Sequence, residues 1–517
     1  MFRSSRFVLL CGSALLASGF AGAALADGQQ NGGSGTLVVS RVQYVAPSPL
    51  PAPPNTFPQI FDNANVTGIE GNIFLDYYST TPGAPRRGTL PLTTTAVAQG
   101  QPVVTTSFSS KSEGSLHLSL DGRYLTYMGY NAAAGLEGVS NSETTNPAAQ
   151  IPGGCSPVPC YDRAVALVKY NGTVTVTSQN FAYSGDNPRG AISLDGNEYY
   201  MAGNSDSTLN KTTPVTGPGL TIGARLGMPG SPLSIQLGTY VAADRPDESA
   251  KQHVKDNNWR GIGIFADANG KQNLYVSKGS GGNGDDGLFQ VLNGSFPGAT
   301  INDVVNNGTG AGVPAGGTTN TIVQLIGNYA TNPATNAPSL LTPFGFFFAN
   351  PTTLYVADEG NSTITLPTDT SATATTLTSD PLAGLQKWVL VPGSSPYWQL
   401  AYVISGGLQI NQPQNVPGYG VATFTTGLRN LTGKVNKDGT VTIYAITAQT
   451  STVSGGEPDP TKLVAVTDEI AATQLPVDDG DGSGNWSGGK PALDQFVTLQ
   501  QSRSGEVFRG VAFAPAP

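Results

Sequence analysis

The chain has 517 residues with 26 Lys and Arg against 35 Asp and Glu, a formal net charge of −9. That balance repels nucleic acid and gives no general attraction to an anionic membrane surface, so neither is an expected partner. Gly 66 and Pro 38 with only 12 % charged residues point to frequent turns, while 38 % hydrophobic content still permits a large core.

At the N-terminus Arg3 and Arg6 precede an apolar run from Phe7 to Leu16 and the small residues Ala24-Leu25-Ala26 before Asp27. This is the charge, core and cleavage pattern of a secretory leader over residues 1–26, so the mature chain, 27–517, is expected in the periplasm or outside the cell. No stretch reaches the roughly 20 apolar residues of a membrane span. Thr36–Ser40, Asn72–Tyr78 and a segment near Thr93 read as strands within residues 35–110, ahead of a repeat over 111–517.

The repeat is a strand, a tight turn and a second strand. Gly114 to Tyr127, with Asp121-Gly122 at its turn, recurs as Arg189 to Tyr200 with Asp195-Gly196. Further copies run from Arg260-Gly261 to Val276, from Phe344-Gly345 to Ala357, and from Arg429 through Gly433 to Tyr444. The sixth, Phe508-Arg509-Gly510 to Phe513, has no hairpin partner, and Thr36–Ser40 is the strand that can complete it. The expectation is an all-β fold, a single β-propeller closed by pairing of its N- and C-terminal strands so that no sheet edge is left open. Six blades is the direct count; residues 45–110 leave room for a seventh. The spacings between repeat glycines exceed the roughly 40–50 residues of a four-stranded blade, so long loops are expected. Arg163–Tyr170, Gly384–Leu390 and Lys462–Val466 read as outer strands.

Glu113 to Thr126, Asn273–Ser277, Thr353–Asp358, Gly384–Trp388 and Phe508–Pro515 resemble a group of uncharacterised secreted bacterial propeller proteins. The resemblance covers nearly the whole mature chain. It implies fold and export and transfers no catalytic residue.

Cys155 and Cys160 are an even pair in an oxidising compartment, separated by a loop with two prolines, and read as a small loop disulfide. Arg189, Arg260, Arg429 and Arg509 stand directly before or near the inner-strand glycine in four of six units. In a closed ring they converge on one mouth of the channel, where they could bind carboxylate or phosphate; the competing role is packing between blades. His117 alternates with Leu116 and Leu118, and His253 lies in a polar loop before an inner strand, so each is a candidate for binding or proton transfer. Trp259, Trp388, Trp398 and Trp486 offer aromatic faces for sugars, although Trp388 sits in a strand pattern. Asp479, Asp481 and Ser483 match the front of a calcium loop and make calcium the one cofactor suggested, although Lys490 stands where a bidentate Glu is needed.

No phosphate-cradling loop, nucleophile elbow or ordered triad is present. The expected function is therefore a monomeric scaffold binding a ligand or partner, an anionic saccharide or a protein, at the channel mouth without turnover. A hydrolase or lyase on an anionic polysaccharide and a calcium-dependent phosphate-ester hydrolase are the alternatives, and whether the chain is an enzyme stays open at this point.

Overall fold

The computed structural model describes residues 35–44, 68–108, 110–145, 159–180, 182–204, 220–221, 224–237, 239–240, 258–279, 286–296, 298–315, 320–327, 341–360, 364–365, 376–377, 380–418, 422–451, 460–475 and 493–517. Six antiparallel sheets of four or five strands form the blades of a β-propeller. We number the blades from the closing one and give their strands from the axis outward. Blade 1 is Glu506–Phe513, Thr36–Gln43, Glu70–Ser79 and Gly88–Leu90. Blade 2 is Leu116–Leu118, Tyr124–Tyr130, Arg163–Lys169 and Val174–Gln179, and blade 3 is Pro188–Ile192, Tyr199–Gly203, Ala224–Gly227 and Ser234–Gln236. Blade 4 is Trp259–Ala266, Gln272–Lys278, Gly287–Val291 and Ile322–Gly327, and blade 5 is Pro343–Asn350, Thr353–Asp358, Gly384–Val391 and Tyr397–Ile404. Blade 6 is Ala422–Val435, Thr440–Ser451, Lys462–Glu469 and Val497–Gln501, with Pro413–Asn415 on the other edge of its first strand.

Ring closure follows the truncated sixth repeat. Thr36–Gln43 pairs with Glu506–Phe513, Leu37 opposite Phe513 and Gln43 opposite Glu506, with a register shift between Ser40 and Arg41. The three outer segments read from the sequence are all third strands. The segment near Thr93 is not a strand: Leu92–Ala98 is a short helix, and the strand is Gly88–Leu90. Tertiary bonds override the β-propensity of its threonines, because Thr93 Oγ1 accepts from Ile73 N at 2.9 Å and donates to Val104 O at 2.8 Å. Described residues between 68 and 107 thus complete blade 1, and the ring has six blades.

The repeat glycines have a steric cause. Neighbouring first strands approach so closely near the axis that a Cβ on Gly261 would lie 2.4 Å from Phe344 O, and one on Gly510 would lie 2.4 Å from Leu116 N. Second-strand serines fasten this approach. Ser277 Oγ accepts from Gly261 N at 2.8 Å and donates to Phe344 O, and Ser40 Oγ accepts from Gly510 N at 2.7 Å and donates to Gly114 O. Gly114 and Phe344 are thereby equivalent. In blade 6, Asn430 replaces the glycine: Gly345 faces Arg429 O and Asn430 Cα, whereas Gly433 lies further along the strand beside Phe347 and Ile443.

Between blades, alternate side chains interdigitate. Phe265, Tyr275, Phe346, Phe347, Phe348, Trp388 and Trp398 belong to one cluster under blades 4 to 6, and Leu37, Val39, Leu75, Tyr127 and Phe513 to another under blades 1, 2 and 6. Each such large side chain contributes about 1.5–3 kcal/mol by leaving water. Trp259 and Trp388 are fully buried and Trp398 nearly so, which removes all three as sugar platforms. Trp486 lies outside the described residues.

Candidate functional site: the mouth and the cleft beside it

First strands run in the same direction around the ring, so residues at their starts meet at one mouth. At the level defined by Phe344 stand Gly114, Arg189, Arg260, Phe344, Arg429 and Arg509. The four arginines are 2–6 % exposed, and two of them, Arg260 and Arg429, pair with a carboxylate. Glu359, which follows the second strand of blade 5, accepts from Arg260 Nη1 at 3.2 Å and from Arg429 Nε at 3.3 Å, with Lys111 Nζ at 3.8 Å. Burial alone would raise the Glu359 pKa, but Lys111, Arg260 and Arg429 outweigh it and hold the carboxyl down to about 2. Glu359 therefore bridges blades 4 and 6 across the position where blade 5 carries Phe344, whose ring lies 4.9 Å from the Arg260 guanidinium.

Arg189 Nη2 donates to Asn204 Oδ1 at 3.3 Å and Asn258 Oδ1 at 3.1 Å. Burial, followed by repulsion from Arg260, lowers its pKa to about 10, which also places these two arginines within electrostatic reach of each other. A strap formed by Thr105–Phe108 and Lys111–Glu113 crosses the mouth. Arg509 Nη2 donates to Phe108 O at 2.6 Å, and Arg260 Nη1 to Ser112 Oγ at 3.0 Å. Glu113 anchors the strap, accepting from Tyr130 OH at 2.7 Å and Asn187 Nδ2 at 2.6 Å. The structure thus brings the four arginines to one level, under a cover of their own chain.

His117 lies on the first strand of blade 2, partly buried, its Nε2 3.2 Å from Ser115 Oγ. Burial pushes its pKa down to about 4, so the ring is neutral near pH 7. His253, Cys155, Asp479, Asp481 and Ser483 lie outside the described residues; Cys160 lies within them. Among the described residues no cluster of three or more His, Cys, Asp or Glu could hold a metal, and no helix is long and apolar enough to cross a membrane.

Beside the mouth, between blades 1 and 6, opens a cleft of about 380 Å³ lined by Arg41, Gln43, Tyr78, Arg86, Gln500, Gln501, Arg503, Glu506 and Phe508. Two of its arginines are anchored by Asp76, a fully buried carboxylate that accepts from Arg41 Nε at 2.6 Å, Arg86 Nη1 at 3.2 Å and Thr89 Oγ1 at 2.7 Å. Arg41 stacks 4.4 Å from the Phe74 ring and donates to Glu506 Oε1 at 3.0 Å. Burial, then Asp76, pushes the Tyr78 phenol up to about 12, so it stays a neutral donor. Arg86 is half-exposed and Arg503 exposed, and among the described residues Arg503 makes no ion pair. Three guanidiniums face two carboxylates, leaving the cleft positive in a chain of net charge −9. Sequence reading missed this site because Arg41 and Glu506 are 465 residues apart and belong to no repeated motif.

No protein-family model matches the chain, and no curated protein matches it. Among solved structures it is similar to the parainfluenza virus 5 hemagglutinin-neuraminidase ectodomain, with TM-score 0.36 and 8 % identity over 77 % of this chain and 75 % of that one. It is similar also to a thermostable family-43 glycoside hydrolase, with TM-score 0.31 and 13 % identity over 78 % of this chain and 95 % of that one. The hydrazine synthase of Kuenenia stuttgartiensis gives TM-score 0.28 and 10 % identity over 72 % and 73 %. At these scores the likenesses carry no argument about activity.

Proposed function

We propose that the protein is an exported, monomeric propeller scaffold that binds a carboxylated saccharide without turning it over, with the cleft between blades 1 and 6 as the contact site. The observation that carries this reading is the pair of accessible guanidiniums, Arg86 and Arg503, flanking an open polar cleft. A guanidinium presents a planar fork of donors that matches a carboxylate. Gln43, Gln500 and Gln501 add amides suited to hydroxyls, and Tyr78 adds a phenol. His117 supplies no charge at neutral pH.

Binding is favoured over hydrolysis by the state of the cleft's acids. Asp76 is fully buried beneath two arginines, and Glu506 is ion-paired with Arg41, so neither stands free as a general acid. The leader at 1–26 and the Cys155–Cys160 disulfide belong to the same proposal and are checked by N-terminal sequencing of exported protein and by the mass gained on reduction. The functional test is thermal unfolding of the purified protein with oligogalacturonate and with a neutral oligosaccharide of equal length. Saturable stabilisation by the acidic sugar alone, lost in Arg86→Ala/Arg503→Ala, is expected, with no new reducing ends or unsaturated product. Product formation that these substitutions abolish would replace the binding reading with the polysaccharide hydrolase or lyase.

A further inference from the structure

Between the third strands of blades 5 and 6 a lysine and an aspartate meet with no access to water. Lys387 Nζ lies 2.8 Å from Asp468 Oδ2, and both side chains are fully buried. Register fixes the surroundings. Tyr355 and Tyr402 are the cross-strand neighbours of Lys387 on either side, and their rings lie 5.7 and 5.0 Å from Nζ. Both phenols donate to the Asp468 carboxylate, Tyr402 at 2.6 Å to Oδ1 and Tyr355 to Oδ2. Nζ also donates to Tyr402 Oη at 2.9 Å and to Glu469 O at 2.6 Å. A second acid, Asp494, is buried beside Asp468 and is fixed by its backbone N–H to Thr467 O at 2.9 Å.

A fully desolvated ammonium and carboxylate are costly to keep as separate charges, so a bond that joins them relieves both. The lysine nitrogen is held against the aspartate carboxyl, 2.8 Å from Oδ2, with its orientation locked by two strands. Two phenol donors point at the carboxyl oxygens, where charge develops when nitrogen attacks. Burial, with Asp468 beside it, raises the Asp494 pKa well above the carboxylate range, so Asp494 carries a proton at neutral pH.

From this juxtaposition we propose that Lys387 and Asp468 condense into an intramolecular amide that covalently joins blade 5 to blade 6. The Nζ–Cγ bond forms and one Cγ–O bond of Asp468 breaks. The ammonium and carboxylate together become an amide N–H and one water, with Asp494 giving a proton to the departing oxygen and regaining one from the nitrogen. Nothing is oxidised or reduced, and no co-reactant is needed. The product removes two buried charges and adds a covalent cross-link to the hydrogen bonds that already join these strands.

Mass spectrometry of the reduced, denatured wild-type chain decides the matter. The expected mass of the processed chain is lower than its sequence requires by one water, and proteolysis yields a branched peptide containing Lys387 and Asp468. Lys387→Arg should restore the missing water and remove the branched species. A wild-type chain of full mass, with the two peptides released separately, would overturn the proposal and leave an ordinary buried ion pair. Because the wild-type measurement decides, a variant that fails to fold does not blunt the test.

Discussion

Glu359 carries the ionic arrangement of the mouth, since one carboxylate answers Arg260, Arg429 and Lys111. Removing one partner of a buried pair strands the other charge, so Glu359→Gln should cost about 3 kcal/mol in urea unfolding at pH 7. A loss under half of that would mean the arginines find water or another anion. The carboxyl titrates near 2, below an unfolded value of about 4.3, so its contribution is present above pH about 4.3 and is lost as pH falls toward 2. His117 works in a higher window. Its folded pKa of about 4 is below the unfolded value of about 6.5, so the unfolded chain binds the proton first and stability falls as pH drops from about 6.5 to 4. His117→Gln should flatten urea midpoints over that interval, and an unchanged slope would assign the pH dependence to other groups. His117 and the four arginines were legible as candidates from their place in the repeat. Glu359 was not, because its role depends on two blades on either side of its own, which no linear pattern encodes.

At the scale of the element, the repeat records how closely first strands pack. A Cβ at Gly261 meets backbone at 2.4 Å, whereas one at Gly270, a turn residue with φ of +76°, meets nothing within 4 Å. Gly261→Ala should therefore cost roughly 2–3 kcal/mol through overpacking, and Gly270→Ala roughly 1 kcal/mol through backbone strain. Equal midpoints for the two in chemical denaturation would contradict the close approach of blades 4 and 5. Strand alternation and turn residues made the hairpins readable, including the third strands at Arg163, Gly384 and Lys462. Register in blade 6 was less readable, because Asn430 occupies the close-approach position and its amide donates to Arg509 O at 2.8 Å. The helix at Leu92–Ala98 escaped because tertiary bonds to Thr93, not local propensity, fix it.

For the whole molecule, pairing of Thr36–Gln43 with Glu506–Phe513 closes six blades into one ring. Truncation before Glu506 removes the first strand of blade 1, exposes the apolar faces of blades 2 and 6, and should replace a single thermal transition with a broad one at lower temperature. A sharp, unshifted transition would show that the blades are stable without closure. Ring closure also builds the cleft, since Arg41 and Arg86 come from one end of the chain and Arg503 and Glu506 from the other. Those residues stand close only after the ring has formed, so the sequence displayed the architecture far more openly than the site. Isothermal titration of oligogalacturonate into the wild-type protein at low and high salt tests the binding claim most directly. The account expects one saturable site that weakens as salt rises and disappears in Arg86→Ala/Arg503→Ala; absence of binding, or equal binding of a neutral oligosaccharide, would contradict it.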